Sequence, residues 1–589
     1  MERLAIDGRK KEKAMKGWVR MNIKLSGLLW LTGLSVLMGV ACAPQAAEQG
    51  PGGVMATPAP TTGAPAQPKS GGLMTIAISE GPKTMDPHFS TGVAMNHPGR
   101  PIFQNLVEVL QPEPLTDSRQ SGKVEPQLAE SWSMPDDKTI IFKLRKGVKF
   151  HNGGDMTADD VVYSLERIRD PNNKFSGSSQ LRSVDKIVKT DDYTVTVTLK
   201  DLNPDILRNF SNGLYILSKK LLESGADPKK EAVGTGPFRQ VKFQEGAESV
   251  SVKFADYWDK GKPYLDGLRH IIGLDRSAIL AAFATKKLDF YNVTDKVQFD
   301  QYKAQVPDLK NYVFYSDYNY GWLPNTSKGP LKDLKVRKAM QLAIDRHAIN
   351  DAVAFGIGLI SAPGDAGFLG KFGLSQEDLF KMPGWRKDKT QDMAEAKRLM
   401  KEAGFPNGFK LRALYISTFT TVPQIAELMA NQLKSALNIE LELIGLDTAL
   451  WTDAVDKKGD YDLAMGNTRI TSNPDINLTN YWYSKGAYNH GAITDPKLDD
   501  LIIRQKTIMN DDERRKAWTD ISKIITENVY YIPSLDAAYF GITQAWVNNL
   551  YGNFAAQPWL RKPAEVWFDV SKMPADRVKA DNEILAKYK

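Results

Sequence analysis

The sequence predicts an α/β protein, and three observations support this prediction. Segments with strand-like apolar alternation or β-branched runs are interleaved along the chain with segments of helical periodicity. No segment recurs at a fixed spacing, which excludes a solenoid. The 589 residues are 42% hydrophobic and 25% charged, as in a folded globular protein. Strands and helices should therefore pack in layers around apolar cores.

The predicted strands are short, apolar and rich in β-branched residues. They cover residues 73–79, 139–145, 186–190, 193–199 and 439–444. Asp191 and Asp192 separate the third strand from the fourth, so these two should form a hairpin.

The predicted helices combine terminal signals with apolar positions on one face. They cover residues 157–168, 336–353, 392–403 and 425–437. Thr157 opens the first of these helices with acidic residues in its first turn, and Gly404 closes the third.

The positive charge is concentrated at the start of the chain. Residues 1–41 carry five of the seven net positive charges, which leaves +2 for everything that follows. A nearly neutral body of this size gives no electrostatic reason to expect nucleic-acid binding.

The first 41 residues are typical of a secretory signal. A basic stretch ends at Lys24, and an apolar run of residues 25–41 follows it. Because the basic stretch is long for a signal peptide, Met15 and Met21 are alternatives to Met1 as the start. We therefore expect export, with residues 1–41 as the signal peptide.

Cys42 is the one cysteine of the sequence, so an internal disulfide is excluded. The residues Gly39-Val40-Ala41-Cys42 resemble the bacterial lipobox, with glycine where leucine is usual. This resemblance implies lipidation of Cys42 and an anchor at the outer face of the cytoplasmic membrane or in the periplasm. Ordinary signal cleavage and an uncleaved anchor helix are the alternatives.

A flexible tether is predicted after the cysteine. Residues 42–70 contain mainly Pro, Ala, Gly and Thr and almost no large apolar group. Such a segment cannot bury a core, and as a random coil it spans roughly 30 Å. It would hold a folded body that starts near Gly71 at a distance from the membrane.

The sequence lacks the motifs of the common enzyme and metal-site classes. The six histidines are scattered, and no HExxH, GxSxG, GxxxxGK[ST] or GxGxxG motif in a suitable context is present. We therefore expect neither an enzyme, nor a protein-built metal site, nor a cofactor.

Ten segments together resemble the family 5 extracellular solute-binding proteins, the peptide-, nickel- and opine-binding components of ABC importers. In chain order they are residues 71–73, 85–87, 126–132, 139–153, 157–167, 234–238, 256–258, 263–266, 336–346 and 403–405. The most specific is TIIFKLRKGVKFHNG at residues 139–153. The resemblance extends over residues 71–589, although most of these motifs identify the fold and do not outline a pocket.

The resemblance implies a two-lobed periplasmic-binding-protein-like fold of type II, cluster C-like, with an extra subdomain inserted in the first lobe. Residues 71–321 would form lobe I with this subdomain, residues 322–531 lobe II, and residues 532–589 the return to lobe I. The crossovers would lie at residues 317–322 and 530–534. A ligand between the lobes would stabilise their closed arrangement.

Peptide-binding members of the family place an aspartate against the α-ammonium group of the ligand. The corresponding position of this sequence is near Ile470, with Arg469 beside it. Asp475 could take the role only if the loop is shifted. An arginine there would instead favour a carboxylate, a phosphate or sugar hydroxyls.

The predicted ligand-binding residues come from both lobes. They are Ser90, Thr91, Gly92, Trp322, Asn467, Arg469 and Trp482. For the tryptophans, packing in the core or at the hinge is the alternative.

The expected function is capture of a peptide or peptide-like solute and its delivery to the transmembrane subunits of an ABC permease, by a monomer. An oligosaccharide, an opine, or a nickel or haem chelate with His490 nearby are alternative ligands. A lipoprotein receptor or sensor without a transport role is the alternative from another class.

Overall fold

The computed structural model describes residues 67–78, 80–89, 93–110, 123–293, 296–360, 362, 376–419, 421–466, 468–469, 474–550 and 562–588. The predicted signal peptide, Cys42 and most of the tether lie outside these residues. Within them, every helix is too short or too polar to cross a lipid bilayer.

Nineteen strands are present in the described residues. They are β1 Leu73–Ile78, β2 Val107–Leu110, β3 Lys123–Pro126, β4 Ala129–Asp136, β5 Thr139–Leu144, β6 Val184–Asp191, β7 Thr194–Leu199, β8 Phe238–Gln244, β9 Glu248–Lys253, β10 Gly267–Ile272, β11 Phe290–Val293, β12 Lys310–Pro324, β13 Lys410–Ile416, β14 Glu440–Leu446, β15 Leu463–Met465, β16 Thr468–Arg469, β17 Ile532–Thr543, β18 Val547–Asn548 and β19 Trp567–Phe568.

Sixteen α-helices accompany these strands in the described residues. They are α1 Val93–Gly99, α2 Ala158–Arg169, α3 Ile206–Asn209, α4 Lys219–Glu223, α5 Arg276–Ala284, α6 Lys296–Gln305, α7 Leu334–Ala343, α8 Arg346–Ala354, α9 Gln376–Leu379, α10 Thr390–Glu402, α11 Thr421–Leu437, α12 Thr448–Thr452, α13 Pro474–Asn477, α14 Pro496–Arg504, α15 Asp511–Glu527 and α16 Ala575–Ala586. The α/β prediction is confirmed.

One long sheet runs through the molecule. Its strand order is β14-β13-β15-β12-β17-β11-β1-β10-β9-β8, and β16 pairs with β12 outside this path. Parallel pairs lie on both sides of the antiparallel pair β12–β17: β13 with β14 and β15, and β1 with β10 and β11. All six residues of β1 are buried, as expected for a strand inside a parallel group.

A separate sheet of order β4-β5-β7-β6 lies early in the chain. The predicted hairpin around Asp191 is confirmed as β6 and β7. The helix α2 packs on this sheet in an apolar core that contains Phe142 and Phe150. At its start, the backbone N–H of Thr157 donates to Oδ2 of Asp160 at 2.9 Å, which confirms the predicted helix start.

The predicted single helix over residues 336–353 is wrong. The structure has two helices, α7 and α8, separated at Ile344 and Asp345. The side chain of Asp345 accepts from the backbone N–H of Ala348, and its own N–H donates to Gln432 at 2.9 Å. Because Asp345 caps a new helix, the chain changes direction although the apolar periodicity continues.

The buried apolar residues form separate cores on the two sides of β12 and β17. We call the side with β1, β8–β11, the four-stranded sheet and α16 the first lobe, and the side with β13–β15 and α7–α15 the second lobe. The exact lobe boundaries given by the sequence stay predictions.

Candidate interlobe binding site

The two lobes meet where β12 and β17 pair. From Tyr315 to Asn319 β12 advances four residues, whereas β17 advances two, from Ala538 to Asp536. The extra residues of β12 are positions 316–318, and β16 pairs with β12 at Tyr318 and Asn319, at the end of this stretch. Such irregularities bend a strand and weaken its ladder, which is a suitable geometry for a hinge.

Buried polar groups hold the two crossing strands together. Nδ2 of Asn319 donates to Oδ1 of Asp536, and the backbone N–H of Asp536 donates to the carbonyl of Leu359 at 2.7 Å. The hydroxyl of Ser534 donates to the carbonyl of Tyr320 at 2.7 Å, and that of Tyr531 to the carbonyl of Asn319 at 3.0 Å. The crossing of the two strands is therefore fixed by specific hydrogen bonds as well as by apolar packing.

The predicted first-lobe ligand residues Ser90, Thr91 and Gly92 lie outside the described residues, but the turn just before them is well anchored. The carboxylate of Asp86 accepts from both terminal nitrogens of Arg167, at 2.6 and 3.2 Å. The guanidinium group of Arg167 also lies over the ring of Phe175. The turn is thus held by a side chain of α2.

His88 is part of the same anchor. Its Nδ1 lies 2.6 Å from Nη1 of Arg167, and its Nε2 lies 2.8 Å from the carbonyl of Tyr215. Because Arg167 can only donate, Nδ1 accepts, and the proton is on Nε2. Burial lowers the pKa of His88 to about 4, so the ring is neutral at physiological pH.

The two predicted tryptophans of the second lobe are core residues. Trp322 is fully buried in the cluster that contains α7 and α11, and its partner across the ladder is Ile532. Trp482 is also buried, its indole N–H donates to Asn477 at 3.2 Å, and its ring contacts Tyr531 edge-on. Their burial favours the packing alternative, and their contact with a ligand stays a prediction.

Arg469 lies in β16, where its backbone is opposite Tyr318 in the crossing strand. Asn467 is outside the described residues. Gly466 precedes this strand, and a Cβ atom there would lie 2.7 Å from the indole ring of Trp451. The backbone at the start of the predicted ligand loop therefore lies directly against an aromatic ring, which only glycine permits.

Asp475, the alternative partner for a ligand amine, is already engaged inside the second lobe. Its Oδ1 accepts from Nε2 of Gln505 at 2.6 Å and from the hydroxyl of Thr479 at 3.3 Å. Its Oδ2 lies 3.7 Å from Nζ of Lys506, and burial raises the pKa of the carboxyl group. These contacts disfavour a role in pairing with a ligand ammonium group.

His490, considered for metal chelates, is enclosed by other side chains. Its Nε2 lies 2.7 Å from Oδ1 of Asp456, and its ring contacts Trp451, Tyr481 and Tyr488 edge-on. Across the residues the structure describes, no group of three His, Cys, Asp or Glu side chains has the geometry to hold a metal ion.

Sequence reasoning missed Asn319 and Asp536. Asn319 lies inside the predicted crossover at residues 317–322, and Asp536 lies two residues beyond the second one. The signal that could have identified them is local: Asn319 lies between two tyrosines, and Asp536 lies between a leucine and an alanine.

The chain matches the model of the family described as bacterial extracellular solute-binding proteins, family 5 Middle, over residues 123–490. Di/tripeptide-binding protein 1 of Pseudomonas aeruginosa is 26% identical over 495 residues, which cover 78% of this chain and 88% of the relative. Heme-binding protein A of Haemophilus influenzae is 28% identical over 487 residues, with 75% and 83% covered.

Solved structures agree in fold. The ABC transporter substrate-binding protein CtaP from Listeria monocytogenes superposes with a TM-score of 0.71 at 22% identity, covering 85% of this chain and all of that one. The periplasmic binding protein DppA from Helicobacter pylori, in complex with the peptide STSA, gives a TM-score of 0.63 at 22% identity, with 85% and 99% covered. The fold is thus the two-lobed one that the resemblance implied, and the chain belongs to the family 5 bacterial extracellular solute-binding proteins.

Proposed function

We propose that this chain captures a peptide or peptide-like solute between its lobes and delivers it to the transmembrane subunits of an ABC importer. The observation that carries the proposal is the crossover. Two lobes with separate cores share the strands β12 and β17, and the pairing of these strands is irregular where the lobes meet. Such a hinge permits closure around a solute. The name of the Pseudomonas aeruginosa relative supports a peptide, and the proposed role includes no catalysis.

The ligand contacts in this proposal are Ser90, Thr91 and Gly92 from the first lobe and Asn467 and Arg469 from the second. The segment of residues 467–473 contains no Asp or Glu, and the contacts of Asp475 lie within its own lobe. A free ligand ammonium group would therefore find no carboxylate from this loop. Arg469 instead favours an acidic group on the ligand, such as a terminal carboxylate.

Native mass spectrometry of the purified protein for a co-purified solute is the first test. Thermal shifts with trialanine, N-acetyl-trialanine and trialanine amide then separate the two ends of the peptide. A ligand at about 100 times its Kd adds about 2.7 kcal/mol to the free energy of unfolding. We expect acetylation to be tolerated and amidation to weaken binding.

The matched variants are Arg469→Ala and Arg398→Ala. Arg398 is exposed on α10, where it pairs with Glu395 and Glu402. Only the first substitution should reduce the shift given by N-acetyl-trialanine. If N-acetyl-trialanine raises the melting temperature equally in both variants, Arg469 does not contribute to the binding site. If no peptide raises the melting temperature of the protein, whereas haem or a nickel–histidine complex does, the peptide proposal is wrong.

We also propose that the protein is exported and is held at the outer face of the cytoplasmic membrane by a lipid on Cys42, as a monomer. The basic and apolar stretches of residues 1–41, the small residues before Cys42 and the tether after it support this. Metabolic labelling with an alkyne fatty acid should mark the wild type and leave Cys42→Ser unlabelled. Labelling of both proteins, or of neither, would refute the anchor.

A further inference from the structure

An ion pair joins the two lobes away from the crossing strands. Asp205 is the cap residue before α3 in the first lobe, and Arg514 lies in α15 of the second lobe. Nη1 of Arg514 donates to Oδ1 of Asp205 at 3.0 Å, and Nη2 donates to Oδ2 at 2.6 Å. Only 2% of the arginine side chain and 4% of the aspartate side chain are exposed.

The residues around this pair belong to different cores. Ile206 and Phe210, which follow Asp205, pack in the core of the four-stranded sheet. Trp518 and Ile521, on the same helix as Arg514, pack in a core of the second lobe. The ion pair is thus a polar contact between two separately stabilised bodies, and it requires their surfaces to be apposed with water excluded.

A buried ion pair is well suited to a reversible contact. Two parallel hydrogen bonds from a guanidinium group to a carboxylate fix the distance and the angle between the bodies. The hydration that both groups lose offsets most of their attraction, so the pair holds a geometry with little net stabilisation. If the lobes part, both groups recover water at once.

Arg514 is positioned by a hydrogen-bond network within the second lobe. Its Nε donates to Oε1 of Gln505 at 3.2 Å, and the indole N–H of Trp518 donates to the same oxygen at 3.2 Å. Nε2 of Gln505 donates to Asp475 in α13 at 2.6 Å. The side-chain amide of Gln505 thus accepts from Arg514 through its oxygen and donates to Asp475 through its nitrogen. Because both ends of the amide are engaged, the guanidinium group of Arg514 has a defined orientation toward Asp205.

The helix α13 is in turn connected to the crossing strands. Asn477, at its end, accepts from the indole N–H of Trp482, whose ring contacts Tyr531. The hydroxyl of Tyr531 donates to the carbonyl of Asn319 in β12. The ion pair and the hinge are therefore joined through contiguous contacts of the second lobe.

We propose that Asp205 and Arg514 form an interlobe latch that holds the two lobes apposed and opens when they separate. Arg208, 3.9 Å from Oδ1 of Asp205, adds a second cation on the side of the first lobe. This inference requires no particular ligand, so it can be tested without one.

The test measures the distance between the lobes. With Cys42 replaced by serine, the full chain has no cysteine, and spin labels can be placed at Lys186→Cys on β6 and Ser435→Cys on α11, both exposed. In the ligand-free protein, Asp205→Asn and Arg514→Gln should each shift the distance distribution to longer values. The double variant should shift it no further than the larger single effect.

The matched control is Asp289→Asn. Asp289 pairs with Arg577 at 2.8 Å and is equally buried, but both residues belong to the first lobe. This variant should lower the melting temperature and leave the distances unchanged. If Arg514→Gln does not fold, Arg514→Lys serves as the second variant. It keeps the positive charge and loses the two parallel guanidinium hydrogen bonds, so it should give an intermediate increase in the distance between the labels.

Two outcomes would overturn the latch. If the distances are unchanged in the Asp205 and Arg514 variants, the pair contributes only to folding stability. If the distances become shorter, the pair stabilises the separated arrangement of the lobes instead of the apposed one. Because these measurements contain no ligand, failure of the latch leaves the proposed solute binding untouched. A missing peptide response would likewise leave the distance result valid.

Discussion

The two buried ion pairs of this protein share their chemistry and differ in their surroundings. Asp289 and Arg577 pair inside the first lobe, whereas Asp205 and Arg514 pair between the lobes. In both pairs each side chain is at most 9% exposed. The groups that complete each network decide what the pair does.

Backbone groups of the central sheet complete the pair inside the lobe. Asp289 accepts from the backbone N–H of Thr75 at 2.7 Å and from the indole N–H of Trp546 at 2.8 Å. Arg577 donates to the carbonyl of Leu73 at 3.2 Å. Separating this pair would break contacts of β1 itself, so it can open only when the lobe unfolds.

Side chains complete the pair between the lobes. The carboxylate of Asp205 faces the side chain of Arg514 from the second lobe and that of Arg208 from its own lobe. A rigid-body motion can therefore separate the charges without disturbing either core. Under the latch proposal, the pair inside the lobe is a permanent part of a core, whereas the equally buried pair between the lobes is a reversible contact.

Acidification should have the largest effect, and it should act on the first lobe. His88 and His270 are buried there and His151 is half-buried, and desolvation lowers the pKa of His88 and His151 to about 4 and that of His270 to about 3. The unfolded chain binds protons on all three rings below pH 6.5, whereas the folded chain does not until about pH 4. Their contribution to stability is therefore complete above pH 6.5 and is lost as the pH falls. The loss through these three rings should be about 8 kcal/mol by roughly pH 4.5, measured by urea unfolding.

Variants of β10 separate this effect from general destabilisation. His270→Leu should remove the uptake of about one proton, which is about a third of the pH dependence carried by the histidines. Leu268→Val, at a neighbouring buried position of the same strand, should lower stability equally at every pH. Parallel curves for the wild type and His270→Leu would contradict the prediction.

Removing a partner of the pair inside the lobe should have the next largest effect. Asp289→Ala leaves Arg577 buried beside unsatisfied backbone and indole N–H groups. The expected loss is about 4 kcal/mol of the free energy of unfolding, measured with urea at pH 7. Asp512→Ala, at a 90% exposed carboxylate, should change it by less than about 0.5 kcal/mol. A loss for Asp289→Ala as small as that of the control would mean that the lobe relaxes around the vacancy.

Arg514→Ala should cost less than Arg577→Ala, although the two arginines are similarly buried. Once Arg514 is removed, parting of the lobes lets water reach Asp205, so the full penalty of an unpaired buried charge is avoided. We expect a loss below about 2 kcal/mol for Arg514→Ala and at least about 3 kcal/mol for Arg577→Ala. Equal losses in urea unfolding would show that the interlobe surface does not open in the folded protein.

Local signals predicted much of the fold. The start of α2 was predictable because the hydrogen bond between Thr157 and Asp160 joins residues only three positions apart. The hairpin of β6 and β7 was predictable because Asp191 and Asp192 mark its turn in the sequence. The break between α7 and α8 was missed because Asp345 lies within a continuous apolar periodicity. Whether an aspartate caps a helix or lies on its surface depends on the backbone there.

The candidate site and the interlobe ion pair were less predictable, for a physical reason. Asp205 and Arg514 are 309 positions apart, and Asp205 has a nearer basic neighbour, Arg208, so local sequence does not connect it with Arg514. From the sequence, Asp475 is a possible partner for a ligand amine, whereas in the structure its carboxylate contacts Gln505 and Lys506. Trp322 and Trp482 fitted a cleft or a core equally well, since aromatic composition does not distinguish the two. Partners distant in sequence decided each of these cases.

The smallest expected effect concerns Asp581, which lies at the edge of the pair inside the lobe. Its Oδ1 accepts from Nε of Arg577 at 2.8 Å, and burial raises its pKa to about 6. Asparagine keeps an acceptor for Arg577 and removes a charge that is costly to bury. Asp581→Asn should therefore change the free energy of unfolding by less than about 1 kcal/mol at pH 7.

The pH dependence of this variant makes the comparison sharper. The folded protein binds a proton on Asp581 near pH 6, whereas the unfolded chain does so only near pH 3.8, so acidification through pH 6 favours the folded wild type through this group. Asp581→Asn lacks that gain, and its urea midpoint should fall relative to the wild type between pH 7 and pH 5. A large loss already at pH 7 would show that the network needs two carboxylates, and Asp581 would then belong with Asp289 as a permanent part of the core.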